Sequence, residues 1–336
     1  MIGCHRWKVV DAEFHGMRST FPFIIAMSIL TMPGKSYDGT LPSLSLEQTE
    51  LRDYLRGHVE TLAGTIGERN LHHYAALEAA ARYISSQFES VGYQPNLQSF
   101  SVQGRTVSNI EVVKPGTENP EEIIVIGAHY DSILGSPGAN DNATGVAGML
   151  ELARMLRSQQ FSRSIRFVAF VNEEPPYTYT NAMGSRRYAE RAASRGERIT
   201  AMMSLETIGY YSDDNDSQHY PFPFGYFYPD KGDFIGFVGN LQSRKLVRKA
   251  IASFRSHARF PSEGLAAPGW VTGVGWSDQW SFWKSGYPGI MVTDTALFRY
   301  PQYHSSADRP GIVVYDSFAR VVHGLESVVR DLANIE

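Results

Sequence analysis

Five short stretches of this sequence put histidines and carboxylates where an apolar run has just ended: GAHYDS (127–132), GANDNATG (138–145), NEE (172–174), SLETIG (204–209) and YH (303–304). His129 and Asp131 lie two residues apart, so on an extended backbone both side chains leave the same side. A carboxylate so placed can bind the far ring nitrogen of His129 and fix its tautomer. The glycines of GSPGAN let the chain turn back and set Asp141 near the start of a helix, where the dipole favours an anion. Taken alone, the same residues also describe a capping aspartate and a satisfied histidine. Glu173 and Glu174 are adjacent and point to opposite faces unless the backbone turns. A turn would aim one at a metal and leave the other as a base; without it the pair is a solvated acidic loop. Glu206 follows an apolar strand, where an unpaired buried charge is costly. His304 alone reads as a surface-loop histidine. Together they are two histidines and several carboxylates on one edge, a donor set that suits zinc, with manganese or cobalt as substitutes. One bridging carboxylate with two further ligands per metal would hold a pair of ions about 3.5–4 Å apart.

These residues need a scaffold that gathers strand ends. Leu51, Leu55, Val59 and Leu62 recur at helical spacing within 45–64, a segment opened by Ser45. A second amphipathic helix covers 74–93 and ends near Gly92. Strands are expected at 96–103, 107–113, 123–129, 164–172 and 199–209, with a polar hairpin turn at 115–122. Helices are expected at 143–159 and 184–196. The last helix, from Asp316, puts Phe318, Val321, Val322, Leu325 and Val328 on one side. Strands alternating with helices argue for a three-layer α/β sandwich with a mostly parallel, mixed central sheet. In such sheets ligands bind beyond the C-terminal strand ends, where the acidic residues fall. The aromatic-rich loop 210–233 is too long for a simple connection and reads as a lid or pocket wall. His72, His73, His219 and His323 are not at strand ends and read as structural or exposed.

The order AHYDS, GANDNATG, NEE, SLETIG, YH resembles metallopeptidase family twenty-eight, the zinc aminopeptidases of the bacterial leucyl aminopeptidase type, over roughly residues 75–330. The resemblance implies the zinc aminopeptidase (phosphorylase/hydrolase-like) fold and two zinc ions. It places His129 and Glu206 on one zinc, Glu174 and His304 on the other, and Asp141 between them. Glu173 would be the general base, and Asp131 would orient His129. The implied reaction is hydrolysis of the N-terminal peptide bond of a peptide with a free amine, with an apolar first residue favoured by an aromatic pocket. Asp278, Gln279 and Tyr303 are the candidate substrate contacts. Trp270, Trp276, Trp280 and Trp283 either line the pocket or pack in core and rim. Three departures bear on that pocket. Glu206 stands where members commonly have Asp, EEPPYTYTNAMGS replaces the commoner Glu-Glu-x-Gly-Leu-x-Gly-Ser, and Gln279 stands where His is frequent. Glutaminyl cyclases share the implied scaffold with one zinc, and some relatives keep the fold as non-catalytic ectodomains. The retained ligand set favours hydrolysis with two metals over both.

The chain has 336 residues, 43% hydrophobic and 20% charged, with a formal net charge of −4. No long basic run is present, so nucleic acid is not an expected partner. The single cysteine, Cys4, rules out an intrachain disulfide and any thiolate cluster. Residues 1–44 read as an apolar arm or signal-like segment plus a Pro-, Gly- and Ser-containing linker, and 45–336 as one catalytic domain. The apolar run FPFIIAMSILTM (21–32) is too short to span a bilayer alone. If residues 17–33 are a signal segment, the protein is secreted, periplasmic or membrane-anchored; otherwise it is cytoplasmic. Any membrane contact is expected through 21–32.

Overall fold

The computed structural model describes residues 31–334. Most of the apolar run 21–32 lies outside the described residues. Residues 31–45 contain no helix or strand, and the first helix, α1 (Leu46–Val59), is capped by Ser45. The Ser45 hydroxyl accepts from the Gln48 N–H (3.1 Å), and the Gln48 side chain accepts from the Ser45 N–H (3.2 Å). This reciprocal pair satisfies two donors that a helix start leaves open. The other α-helices among the described residues are α2 (Tyr74–Ser90), α3 (Gly145–Leu156), α4 (Gly184–Ser194), α5 (Arg244–His257), α6 (Gln279–Lys284) and α7 (Tyr315–Ala333).

Eight strands form one sheet: β1 (Asn96–Val102), β2 (Arg105–Lys114), β3 (Asn119–His129), β4 (Arg163–Phe170), β5 (Arg198–Glu206), β6 (Ile235–Gly239), β7 (Ser262–Ala266) and β8 (Gly289–Thr293). Their order is β1-β2-β4-β3-β5-β8-β6-β7. The central pairs β4–β3, β3–β5 and β5–β8 are parallel, whereas β1–β2, β2–β4 and β6–β8 are antiparallel. The expected mixed sandwich is therefore the observed one.

One local expectation is corrected. Residues 115–122 do not close a hairpin, because β2 pairs with β4 and not with β3. The connection instead crosses the start of β4. The Thr117 N–H donates to the Phe161 carbonyl (2.9 Å) and the Asn119 N–H to that of Ser162 (2.8 Å). Gly116 is needed here, since a Cβ would come within 2.5 Å of the Ser162 carbonyl oxygen.

Alternation along β3 builds two cores. Ile124, Ile126 and Ala128 enter the large core with α1, α2, α3, α5 and α7. Ile123 and Val125 enter a smaller one with Tyr188, Ala189 and Ala192 of α4 and Phe282 of α6. Burial on both faces explains why the central strands read as nearly continuous apolar runs.

Candidate metal centre

His129 is the last residue of β3 and Glu206 the last of β5, neighbouring parallel strands, so both leave the sheet at the same end. β4 ends at Phe170, and Asn172 then adopts a left-handed conformation (φ 59°) that bends the chain. That bend lets Glu173 and Glu174 both reach the centre. Asp141 precedes α3 by a short irregular turn, and the Asp141–Asn142 peptide is cis. His304, also left-handed (φ 56°), arrives on the loop before α7.

The five candidate ligands form two triads that share one member. His129 Nε2 lies 3.3 Å from Asp141 Oδ1 and 3.2 Å from Glu206 Oε2. His304 Nε2 lies 3.1 Å from Asp141 Oδ2 and 3.4 Å from Glu174 Oε2. Within each triad the donor atoms fall within 4.8 Å of one another. The two oxygens of Asp141 thus face opposite triads.

The site tests well for cations. His129 Nδ1 faces the Asp131 carbonyl oxygen at 3.1 Å. A carbonyl only accepts, so Nδ1 keeps its proton and Nε2 is the nitrogen that would offer its lone pair once a cation displaces the proton there. Nε2, buried, has no hydrogen-bond partner, and neither has Glu174 Oε1. Asp131, Asp141, Glu173, Glu174 and Glu206 are all buried together. Burial, reinforced by neighbouring carboxylates, pushes the Glu173 and Glu174 carboxyls well above the usual range. Burial also raises Glu206, with His129 opposing it. Burial disfavours the charged form of His129, yet Glu206, Asp131 and Asp141 together raise its pKa well above the ordinary value. For Asp141, burial is outweighed by His129 and His304, and its pKa falls. Crowded carboxylates in a dry site are what bound cations neutralise.

Asp131 does more than the spacing suggested. Its ring contact to His129 is mainly through its backbone carbonyl, with the carboxylate at 3.6 Å from Nδ1. The carboxylate itself accepts the N–H groups of Glu173 and Glu174 (3.1 Å each) and braces the bend that carries both.

Four contributors were not legible beforehand. Asp308 accepts the N–H groups of Asn140 (2.8 Å) and Asp141 (3.1 Å), tying the His304 loop to the Asp141 turn. Asp294 accepts from the Asn140 side chain (2.8 Å) and the Tyr210 N–H (2.8 Å). Ser277 donates to Glu206 Oε2 (2.7 Å). Arg69, fully buried, donates to the carbonyls of Tyr130 (2.7 Å), Pro137 (2.6 Å) and Gly138 (2.8 Å); burial lowers its pKa to about 10. No local pattern marks them, because each acts on a partner far along the chain.

A cavity of about 840 Å³, counting its open mouth, adjoins Glu206 and Tyr303. Val238 and Met291 form part of its floor, and Tyr220, Phe224 and Tyr228 of the aromatic loop form a wall. The loop 210–233 is thus a pocket wall. Trp276 lines the cavity. Trp280 packs on Tyr179 (4.6 Å between rings), Trp283 donates to the Gly289 carbonyl (2.9 Å), and Trp270 is exposed. Tyr303 stacks on the His304 ring at 3.8 Å. Asp278 and Gln279 are both fully buried at the start of α6: the charge of Asp278 acts on Glu173 at the centre, and the Gln279 amide donates to the Val274 carbonyl (3.0 Å). Neither lines this cavity, whereas Tyr303 does.

The sequence model described as Peptidase family M28 matches residues 109–329. The chain belongs to peptidase family M28. It is 36% identical to YfbL of Escherichia coli K12 over 91% of this chain and 94% of that protein. It is 37% identical to aminopeptidase YwaD of Bacillus subtilis, over 30% of this chain and only 21% of that relative. Among solved structures, the zinc aminopeptidase BSAP of Bacillus subtilis superposes with a TM-score of 0.68 at 15% identity, covering 84% of this chain and 95% of that one. A Fimbriiglobus ruber glutaminyl cyclase superposes with a TM-score of 0.61 at 18% identity, covering 90% and 99%. Family membership makes this M28 chain a metallopeptidase-type hydrolase, and the sandwich fold is the one its neighbours share.

Proposed function

We propose that this M28 chain is a zinc aminopeptidase that removes an apolar first residue from peptides by a two-metal mechanism. The observation that carries the reading is the pair of triads sharing Asp141, one oxygen to each. In this reading His129, Asp141 and Glu206 hold one ion, and Asp141, Glu174 and His304 hold the other. Two zinc ions there would supply Lewis acidity toward the scissile carbonyl and lower the pKa of the attacking water.

The chain's own groups do the rest. Glu173 is the free carboxylate of the bend. Buried and raised in pKa, it is suited to take the water proton and return it to the leaving amine. Asp131 holds Glu173 and Glu174 in register through their N–H groups. The carboxylates around the centre favour a free amine at the substrate N-terminus, and the apolar cavity beside Glu206 and Tyr303 receives the first side chain. The name of the aminopeptidase relative agrees with this activity. A one-metal cyclase would not need the second triad.

The test is mass spectrometry on peptides beginning with Leu, Phe, Ala and Gln, with N-acetylated controls, incubated with zinc-loaded protein. Stepwise loss of the first residue from free-amine peptides is expected. Loss of ammonia from the Gln peptides instead would assign the cyclase reaction. Glu173→Gln should keep its zinc and lose about 10²–10⁴-fold in turnover.

A further inference from the structure

The loop EEPPYTYTNAMGS (173–185) begins at the proposed base, Glu173, and runs to the start of α4. Its first half is tightly curled. The Thr178 hydroxyl donates to the Glu173 carbonyl, the Tyr177 N–H to that of Glu174 (3.0 Å) and the Thr180 N–H to that of Tyr177 (2.9 Å). Tyr179 follows in a left-handed conformation (φ 63°). A bulky side chain is disfavoured there, where glycine or asparagine would sit more easily. Tyr179 is also 40% exposed, so packing in a core does not account for an aromatic at this strained position.

The exposed ring is fixed in place. The Tyr179 hydroxyl donates to the Gly275 carbonyl (3.1 Å), the Tyr179 carbonyl accepts from Arg186 (2.8 Å), and the Trp280 ring packs against it at 4.6 Å between centroids. It lies near the base: burial first, and then the charge of Glu173, push the Tyr179 hydroxyl up to about 12. Tyr179 does not line the cavity beside Glu206, but Trp276, next to the Gly275 carbonyl that the hydroxyl grips, does. The segment 275–280 therefore gives one tryptophan to the cavity and another to Tyr179.

We infer that Tyr179, backed by Trp280, is the subsite for the second residue of the peptide substrate, and that it takes an aromatic side chain. The inference rests on the aminopeptidase reading. In that reaction the bond from the first carbonyl carbon to the second nitrogen breaks, and Glu173 delivers a proton to the departing amine, so the second residue sits beside Glu173. The first side chain occupies the cavity at Glu206 and Tyr303. The second lies on the other side of the broken bond and meets the surface flanking Glu173 outside that cavity, where Tyr179 is exposed. An aromatic ring already held by two hydrogen bonds and a neighbouring indole has little freedom left to lose, and it offers an incoming ring offset or edge-on contact. The substrate class is a peptide with Phe, Tyr or Trp in second place; glycine there leaves the platform uncovered.

The test compares Leu-Phe amide with Leu-Gly amide on the zinc-loaded full chain. The parent is expected to favour Leu-Phe amide in kcat/KM by ~10-fold. Tyr179→Asn removes the ring and suits the left-handed backbone, and it should bring that ratio within about twofold of one. Tyr179→Phe keeps the ring and should keep most of the ratio. Isothermal titration of the two peptides into Glu173→Gln protein reads binding without turnover; adding Tyr179→Asn should weaken Leu-Phe amide ~10-fold more than Leu-Gly amide. If Tyr179→Asn misfolds by circular dichroism, Tyr179→Gly removes the same ring at a backbone position glycine accepts. A parent ratio near one, or an undiminished ratio in a folded variant, overturns the subsite and leaves the aminopeptidase reading standing. Release of leucine from neither peptide by the parent overturns that reading and the subsite together.

Discussion

Asp131→Asn separates the bracing role of this carboxylate from simple bulk. The two N–H groups of Glu173 and Glu174 now share its two oxygens at 3.1 Å each. An amide supplies one acceptor and turns its NH2 toward the second N–H, so one buried donor loses its bond, at about 1–3 kcal/mol. The same change removes one negative charge from a crowd of buried carboxylates, which offsets part of that cost while no metal is bound. The metal-free variant should therefore melt within a few degrees of the parent. With zinc the offset disappears. Groups that orient metal ligands typically contribute 10–100-fold in affinity, so zinc should stabilise the variant by about 1.4–2.7 kcal/mol less than the parent. At ~1.5 °C per kcal/mol for a chain of this size, the zinc-induced rise in Tm should shrink by roughly 2–4 °C. Calorimetry of chelated and zinc-loaded protein at one fixed free zinc concentration measures this. An equal zinc-induced rise in both proteins would refute the argument that Asp131 sets the ligand geometry.

Other expectations follow from the same geometry. His304→Ala should lower zinc content from two ions to one by atomic absorption; two retained ions would remove His304 from the ligand set. Val238→Phe should fill part of the cavity floor and raise KM for Leu- and Phe-first peptides ~10-fold or more relative to Ala-first peptides. Equal effects on all three would place the first side chain elsewhere.

The ends of β3, β4 and β5 were legible because a parallel sheet buried on both faces demands apolar runs, and a charge at the end of such a run is conspicuous. His129, Glu173, Glu174 and Glu206 stand out for that reason. The segment 115–122 misled because its polar composition fits a hairpin turn equally well as a crossover. Only the insertion of β4 between β2 and β3 decides the matter, and local sequence does not encode strand order. Asp308 and Arg69 were invisible for a related cause. Their partners, Asn140 and Asp141 for one and the carbonyls of Tyr130 to Gly138 for the other, meet them only after folding. Asp278 attracted attention as an acidic residue in a tryptophan-rich segment; it sits buried at the head of α6, does not line the cavity, and acts by its charge on Glu173.

The two triads also differ in when they can exist. A chain emerging from the ribosome has made every member of the His129–Asp141–Glu206 set once β5 is complete, whereas the other set waits for His304, after β8. The first set springs from adjoining central strands and the turn before α3, and His129 is wholly enclosed. The second closes with a loop side chain that remains 28% exposed, latched through Asp308. One half of the centre is thus part of the frame and the other is its door. In the proposed two-ion reading, the ion held through His304 should leave first on chelation, because that ligand is the exposed one.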